Sequence, residues 1–172
     1  EFSDLTGIED FISLSSLNVS ENEISTLDVS NNLLLANIIA ANNAIGTIDV
    51  SGLSALLNLN LANNNVQQLD LSTNLAITDL DIGNNQLTEI IVSNLANLED
   101  FNCGVNQIES LDLSQNSNLS LLFCQNNALF GDQLNLQNGN NENLLVLNAT
   151  NNPALGCILV DNPVAVINNT EG

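Results

Sequence analysis

Leu56–Asn74 reads LLNLNLANNNVQQLDLSTN, and sliding this stretch along the chain in steps of 21 residues brings nearly every other segment into register with it. Leu56, Leu59, Leu61 and Asn64 trace the spacing LxxLxLxxN. A period of about 20 to 29 residues with that spacing marks an array of stacked coils, each burying its apolar face only against its neighbours. The chain is therefore a repeat protein.

The first apolar-x-apolar pair recurs at Leu17 and Val19, Ile38 and Ala40, Leu59 and Leu61, Leu80 and Ile82, Phe101 and Cys103, and Leu122 and Cys124, with Leu147 and Ala149 as a seventh. Successive side chains of a strand point to opposite faces, so each pair points inward and its middle residue outward. Three residues further on stands an asparagine in every coil: Asn22, Asn43, Asn64, Asn85, Asn106, Asn127 and Asn152. An amide side chain both donates and accepts hydrogen bonds. Stacked in a column, these asparagines are expected to form an internal ladder serving the backbone where it turns.

A second pair follows at Leu27 and Val29, Ile48 and Val50, Leu69 and Leu71, Ile90 and Val92, and Leu111 and Leu113, then shifted at Leu134 and Leu136. A coil of 21 residues leaves no room for a useful helix, so this pair predicts a second strand. The expected fold is a mainly-β repeat solenoid with parallel sheets on two faces and little or no helix. Residues 1–13 are expected to form an N-terminal cap, with Leu5, Ile8, Phe11 and Ile12 covering the first coil. Residues 14–152 carry about six and a half repeats with an insertion within 128–143, and residues 153–172 close the array. In the last coil the in-register second pair falls on Cys157 and Leu159. Leu53 and Leu95 alternate with Asn32, Asn74 and Asn116 at the turn after the second strand.

LDVS at 27–30, IDVS at 48–51 and LDLS at 69–72 and 111–114 each start five residues after a ladder asparagine. These segments resemble the bacterial 21-residue leucine-rich repeats of the IRREKO class, over roughly residues 14–160. The TGIEDF opening and GCILVD ending resemble the flanks of such arrays. The resemblance implies an extracellular or surface protein of a Bacteroidota-like bacterium, such as an adhesin or internalin-like module. It brings no catalytic residues with it.

Composition narrows the partners. The chain has 20 Asp and Glu residues and no Lys, Arg or His, for a formal charge of −20. Such a surface repels nucleic acid and anionic membranes, and favours cations, cationic partners or salty water. Without His, Lys, Arg or Tyr, no serine or thiol has an obvious base, so the chain is read as no enzyme. No run of about 18 apolar residues offers a membrane span, and no basic stretch leads into an apolar one. The chain also lacks Met, so it is expected to be a mature product or part of a longer polypeptide.

Two outward columns remain for function. Asp28, Asp49, Asp70 and Asp112 would stand about 4.8 Å from coil to coil. Their repulsion in water is under about 1 kcal/mol per pair. Calcium could bridge them, yet it takes roughly six to eight oxygens and a flat ladder supplies few; no other metal or cofactor is expected. The opposite face shows Asn18, Asn60, Asp81, Asn102 and Phe123, flanked by Asn37, Asn58, Asp79 and Asp100, and is the candidate ligand face. Its lack of Tyr, Trp and Arg points to modest affinity per contact. Two roles fit: a recognition or adhesion module for protein or glycan at a cell surface, or a structural spacer or filament subunit contacting copies of itself through its ends. Cys103 and Cys124 share one inward column, where side chains in register rarely reach disulfide torsions, so buried free thiols are expected.

Overall fold

A three-residue rung is enough to place one side chain in the core and two on the surface, and the protein is built from such rungs. The computed structural model describes residues 1–162. In chain order the strands are β1 (Ser16–Asn18), β2 (Thr26–Leu27), β3 (Asn37–Ile39), β4 (Thr47–Ile48), β5 (Asn58–Asn60), β6 (Asp79–Asp81), β7 (Asp100–Asn102), β8 (Leu111–Asp112), β9 (Leu121–Phe123), β10 (Phe130–Gly131), β11 (Leu134–Leu136), β12 (Val146–Asn148), β13 (Ala154–Leu155) and β14 (Ile158–Val160). Helix is confined, among the described residues, to single 3-10 turns at Ile8–Asp10 and Asn141–Asn143. None is long and apolar enough to cross a membrane.

One face is a seven-stranded parallel sheet in the order β1-β3-β5-β6-β7-β9-β12. Leu17, Ile38, Leu59, Leu80, Phe101 and Leu122 pair rung to rung in that order and are buried. The step from Leu122 to its partner Leu147 is longer than the others, so the sixth-coil insertion is taken up without disturbing the register. Leu147 keeps the inward position but is 40% exposed, because among the described residues no further coil stacks on β12.

The ladder asparagines do what an internal amide column should. Asn64 donates to the carbonyls of Leu61 in its own coil and Ala40 in the preceding one, and accepts from the Ile45 N–H, at 3.0, 2.9 and 2.9 Å. Asn43, Asn85, Asn106, Asn127 and Asn152 repeat the pattern. At the start of the chain Asn22 accepts instead from the Phe2 N–H. The residue before each ladder asparagine turns left-handed: Glu21, Asn42, Asn63, Asn84, Val105, Asn126 and Asn151 all have φ between 54° and 59°. Asparagine tolerates that region better than other side chains, which accounts for the Asn-Asn doublets.

Three expectations need correction. The second face is not one sheet: β2 pairs with β4, and β8, β11 and β14 form a separate three-stranded ladder. Between them Leu69–Leu71 and Ile90–Val92 carry no strand pairing, and Leu69 is only partly buried, so the coils hold together there through core packing. Phe11 and Ile12 do not cover the first coil. They are 60% and 68% exposed because they sit at a turn that projects outward, while Leu5 and Ile8 pack against the core. The last coil is offset by one from the expected pairing: Ile158 and Val160 lie opposite Leu134 and Leu136, Leu159 lies opposite Asn135, and Cys157 is exposed. The cause is β13, which pairs with β10 and uses an extra residue before the second-face strand. The polar insertion at 137–143 is tied to the end of the last coil. Asp161 accepts from the N–H groups of Gly139 and Asn141, and Asn141 accepts from the Asp161 N–H in return. The expected closing segment runs past this point, and its residues 163–172 lie outside the described residues.

Candidate functional site

Each rung of the seven-stranded sheet presents two outward side chains, one on either side of its buried residue. Along most of the sheet these are small and neutral. In the middle coils they turn acidic and then apolar. Asn58 and Asn60 on β5, Asp79 and Asp81 on β6, Asp100 and Asn102 on β7, and Leu121 and Phe123 on β9 surround a hollow of about 290 Å3 floored by Leu80 and Phe101. The structure thus gathers seven of the nine expected ligand-face residues around one hollow. Asn18 on β1 and Asn37 on β3 lie outside it.

Several of these polar side chains already have structural work. The Asn60 and Asn102 carboxamide oxygens accept from the N–H two residues on, at Ala62 and Gly104, and Asn18 and Asn148 do the same. Asp81 accepts from the Gly83 N–H at 3.0 Å and from the Asn102 amide at 2.9 Å. These Asx turns end five of the seven strands as they leave the sheet, β3 and β9 ending instead in Ile39 and Phe123. Gly83 leaves room for the Asn102 amide beside Asp81: a Cβ there would come within 2.8 Å of the amide nitrogen. The signal in the sequence is an Asp or Asn as the last residue of the strand, at 18, 60, 81, 102 and 148.

Burial pushes the Asp81 carboxyl above the usual range, against the lowering effect of its bonds from Gly83 and Asn102. Thr78 donates to Asp79 and Ser120 to Asp100, which orients both carboxylates at the rim. The site is therefore three carboxylates beside an aromatic and a leucine, in a chain with no basic side chain to neutralise them. Leu121 flanks Phe123 on the same rung, as the two-residue period along the strand expects, and completes the apolar side of the hollow.

The second-face aspartates are also turn formers. Asp28, Asp49, Asp70 and Asp112 each accept from the serine N–H two residues on, at 2.8 to 3.0 Å. Those bonds hold the Asp28, Asp49 and Asp70 carboxyls below their ordinary range, with the backbone N–H of Ser30, Ser51 and Ser72 as the main cause. One carboxylate per coil, with one oxygen so engaged, does not assemble the six to eight oxygens calcium takes. Among the described residues no three Asp, Glu, His or Cys side chains cluster as a metal site.

No protein-family model matches the chain, and no curated protein matches it in sequence. Solved structures do. The functional domain of InlJ from Listeria monocytogenes, which includes a cysteine ladder, superimposes with a TM-score of 0.74 at 29% identity over 89% of this chain. An internalin, InlF, from the same organism gives 0.77 at 27% identity over 98%. The fold is that of a leucine-rich repeat solenoid. A plant peptide hormone receptor, RGFR1, in complex with RGF2, gives 0.74 at 27% identity over 86% of this chain. The chain spans 38% of the InlJ chain, 49% of the InlF chain and 26% of the receptor chain.

Leucine-rich repeat coils of this length leave little room in the core, and the two cysteines use it. Cys103 and Cys124 follow each other in one inward column as buried free thiols. Burial pushes Cys103 well above the ordinary thiol range and Cys124 up to about 12. Neither is a nucleophile at neutral pH.

Proposed function

We propose that the chain is a non-catalytic recognition module of the 21-residue bacterial leucine-rich repeat class, displayed outside the cell, whose ligand face is the central part of the seven-stranded sheet. The observation that carries this is the hollow between β5 and β9, where Asp79, Asp81 and Asp100 stand beside Leu121 and Phe123. A partly desolvated carboxylate gains most from a cation that brings its own apolar surroundings. The ligand is a protein segment bearing Lys or Arg beside an apolar side chain. A glycan is less well served, since the face has neither Tyr nor Trp as a stacking platform. The internalin and peptide-receptor likenesses support an extracellular interaction role for this chain.

The test is selection of displayed random peptides on the purified chain, with Phe123→Ser combined with Asp100→Asn as counter-selection. Neither residue caps its own strand end, so the variant keeps the fold. Enrichment of basic, apolar-containing peptides that fail on the variant supports the reading. Peptides that bind both proteins equally, or none at all together with retention on a glycan array, refute it. A spacer role in which the solenoid ends make the contacts draws on exposed Leu145, Val146 and Leu147 at the β12 end. It predicts concentration-dependent assembly abolished by Leu147→Asp and indifferent to Phe123→Ser.

A further inference from the structure

Between the second face and the seven-stranded sheet, each coil makes a β-turn closed by a backbone bond: Leu14 to Phe11, Leu35 to Asn32, Leu56 to Leu53, Ile77 to Asn74, Leu98 to Leu95 and Leu119 to Asn116. These turns stack in register along one flank. In the later coils their corners are polar, and Asn97 and Asn118 each donate to a carbonyl of the preceding turn, at Leu75 and Ala96. In the first four coils the same flank carries Phe11, Ile12, Leu33, Leu34, Leu57 and Leu75, all 44% to 68% exposed. Turn corners ordinarily take Gly, Asn, Asp or Ser. Here Leu33, Leu34 and Leu75 take corner places, and Leu34 stands where Asn97 and Asn118 make their stitching bonds in later coils.

The third coil has Ser54 and Ala55 at its own corner and adds Leu57 just past the turn. Asn32 donates to the Phe11 carbonyl, and the Leu57 N–H to the Ala36 carbonyl, so each coil lies directly over its predecessor. Leu33 leans across the next coil, its Cδ2 3.3 Å from where a Cβ on Gly52 would stand. Exposed apolar side chains recurring over successive coils on one flank mark an interaction site. From Phe11 to Leu75 the strip crosses three coil spacings, about 14 Å at the usual ladder distance. Coil spacing nearly matches the ~5.4 Å pitch of an α-helix, so a helix lying along the strip offers one apolar side chain per coil.

The electrostatics choose the occupant. Asp28, Asp49 and Asp70 hold the backbone just ahead of these turns, and the chain contributes no basic side chain anywhere. A second copy would bring a formal charge of −20 against the same charge, and anionic lipid is repelled likewise. We propose that this flank docks an amphipathic helix of a partner protein, about three turns long, with a leucine-like face and flanking Lys or Arg. This surface is separate from the hollow on the seven-stranded sheet and does not depend on it.

The experiment measures fluorescence anisotropy of dye-labelled helical peptides of about 18 residues, with Leu at i, i+3, i+4 and i+7 and Lys elsewhere. Controls replace Leu by Ser or Lys by Glu. Leu33→Asn combined with Leu75→Asn alters only exposed side chains, and an unchanged melting curve verifies the fold. The Leu/Lys peptide is expected to bind the unaltered chain and Phe123→Ser alike, and at least about tenfold more weakly to the double variant. Both control peptides are expected to bind more weakly. Equal binding of the Leu/Lys peptide to the double variant overturns the proposal, since it leaves only diffuse attraction to charge. So does self-association of the unaltered chain that the double variant abolishes, or capture by neutral phosphatidylcholine vesicles that the double variant loses.

Discussion

Val105 is the residue whose replacement tests the turn chemistry most directly. It holds φ at 58°, where the equivalent positions of five other coils have asparagine. A side chain with a Cβ costs about 1–2 kcal/mol in the left-handed region, and a β-branched one fits it worst. Val105 is 43% exposed, so its removal forfeits only part of the ~1.5 kcal/mol a buried valine contributes. The substitution also repairs a side-chain chain: Asn84 donates to Asn63 and Asn151 to Asn126, and position 105 falls between Asn84 and Asn126. Val105→Asn should therefore stabilise the chain by about 1 kcal/mol and raise Tm by about 2–4 °C for a chain of this size. Urea denaturation followed by circular dichroism reads this out, with Val105→Gly and Val105→Ala as companions. Glycine relieves the strain without adding a hydrogen bond, so it should fall between Asn and the parent, whereas alanine keeps the Cβ and should gain least. If all three variants are less stable than the parent, the valine side chain is packing usefully there and the strain argument fails.

Asp49→Asn keeps the Asx turn, as Asn135 does naturally by accepting from the Gln137 N–H, and removes a charge. It should lower Tm modestly, because the fold favours the ionised Asp49 carboxyl through its bond from the Ser51 N–H, and Asp49→Ala, which removes the acceptor altogether, should lower Tm further. Stability should respond to pH in two opposite stages. The raised Asp81 carboxyl makes its ionised form a cost to the fold, so acidification from neutral pH first stabilises; the lowered Asp28, Asp49 and Asp70 carboxyls contribute above the ordinary carboxylate range, and that contribution is lost as pH falls through their lowered values. Asp81→Asn should flatten the first stage in melting curves recorded against pH. Asn64→Leu leaves the Ala40 and Leu61 carbonyls and the Ile45 N–H without their partner. At ~1–3 kcal/mol for each buried group, the loss should exceed about 3 kcal/mol in urea titration.

Core positions such as Leu59 and Leu61 were legible because burial in a solenoid depends only on where a residue falls in the period. The asparagine ladder was legible for the same reason. Asp28 and Asn60 were harder: an outward polar residue reads as free surface, and its bond to an N–H two residues on appears only when the backbone turns. The break in the second face at Leu69–Leu71 and Ile90–Val92 leaves the apolar pattern intact, so no pattern could announce it. Cys157 falls one residue off because the regular period contains no rung such as Ala154–Leu155, which takes up one extra residue before the second-face strand. Phe11 and Ile12 show the same limit at the cap, where apolar character was taken for burial.

The ladder asparagines have a sense of direction. Asn43, Asn64, Asn85, Asn106, Asn127 and Asn152 each reach back to the coil before them, and none reaches forward with its amide. Each new coil thus completes the one before it: the Ala40 carbonyl and the Ile45 N–H gain the Asn64 side chain as a partner only when the next coil is in place. For a polypeptide emerging amino end first, order of synthesis and order of assembly coincide. Trimming a coil from the carboxyl end leaves one N–H and one carbonyl of the new last coil without the next coil's amide that served them, whereas removing a leading coil leaves the next amide only acceptors in its own coil, as Leu61 is for Asn64.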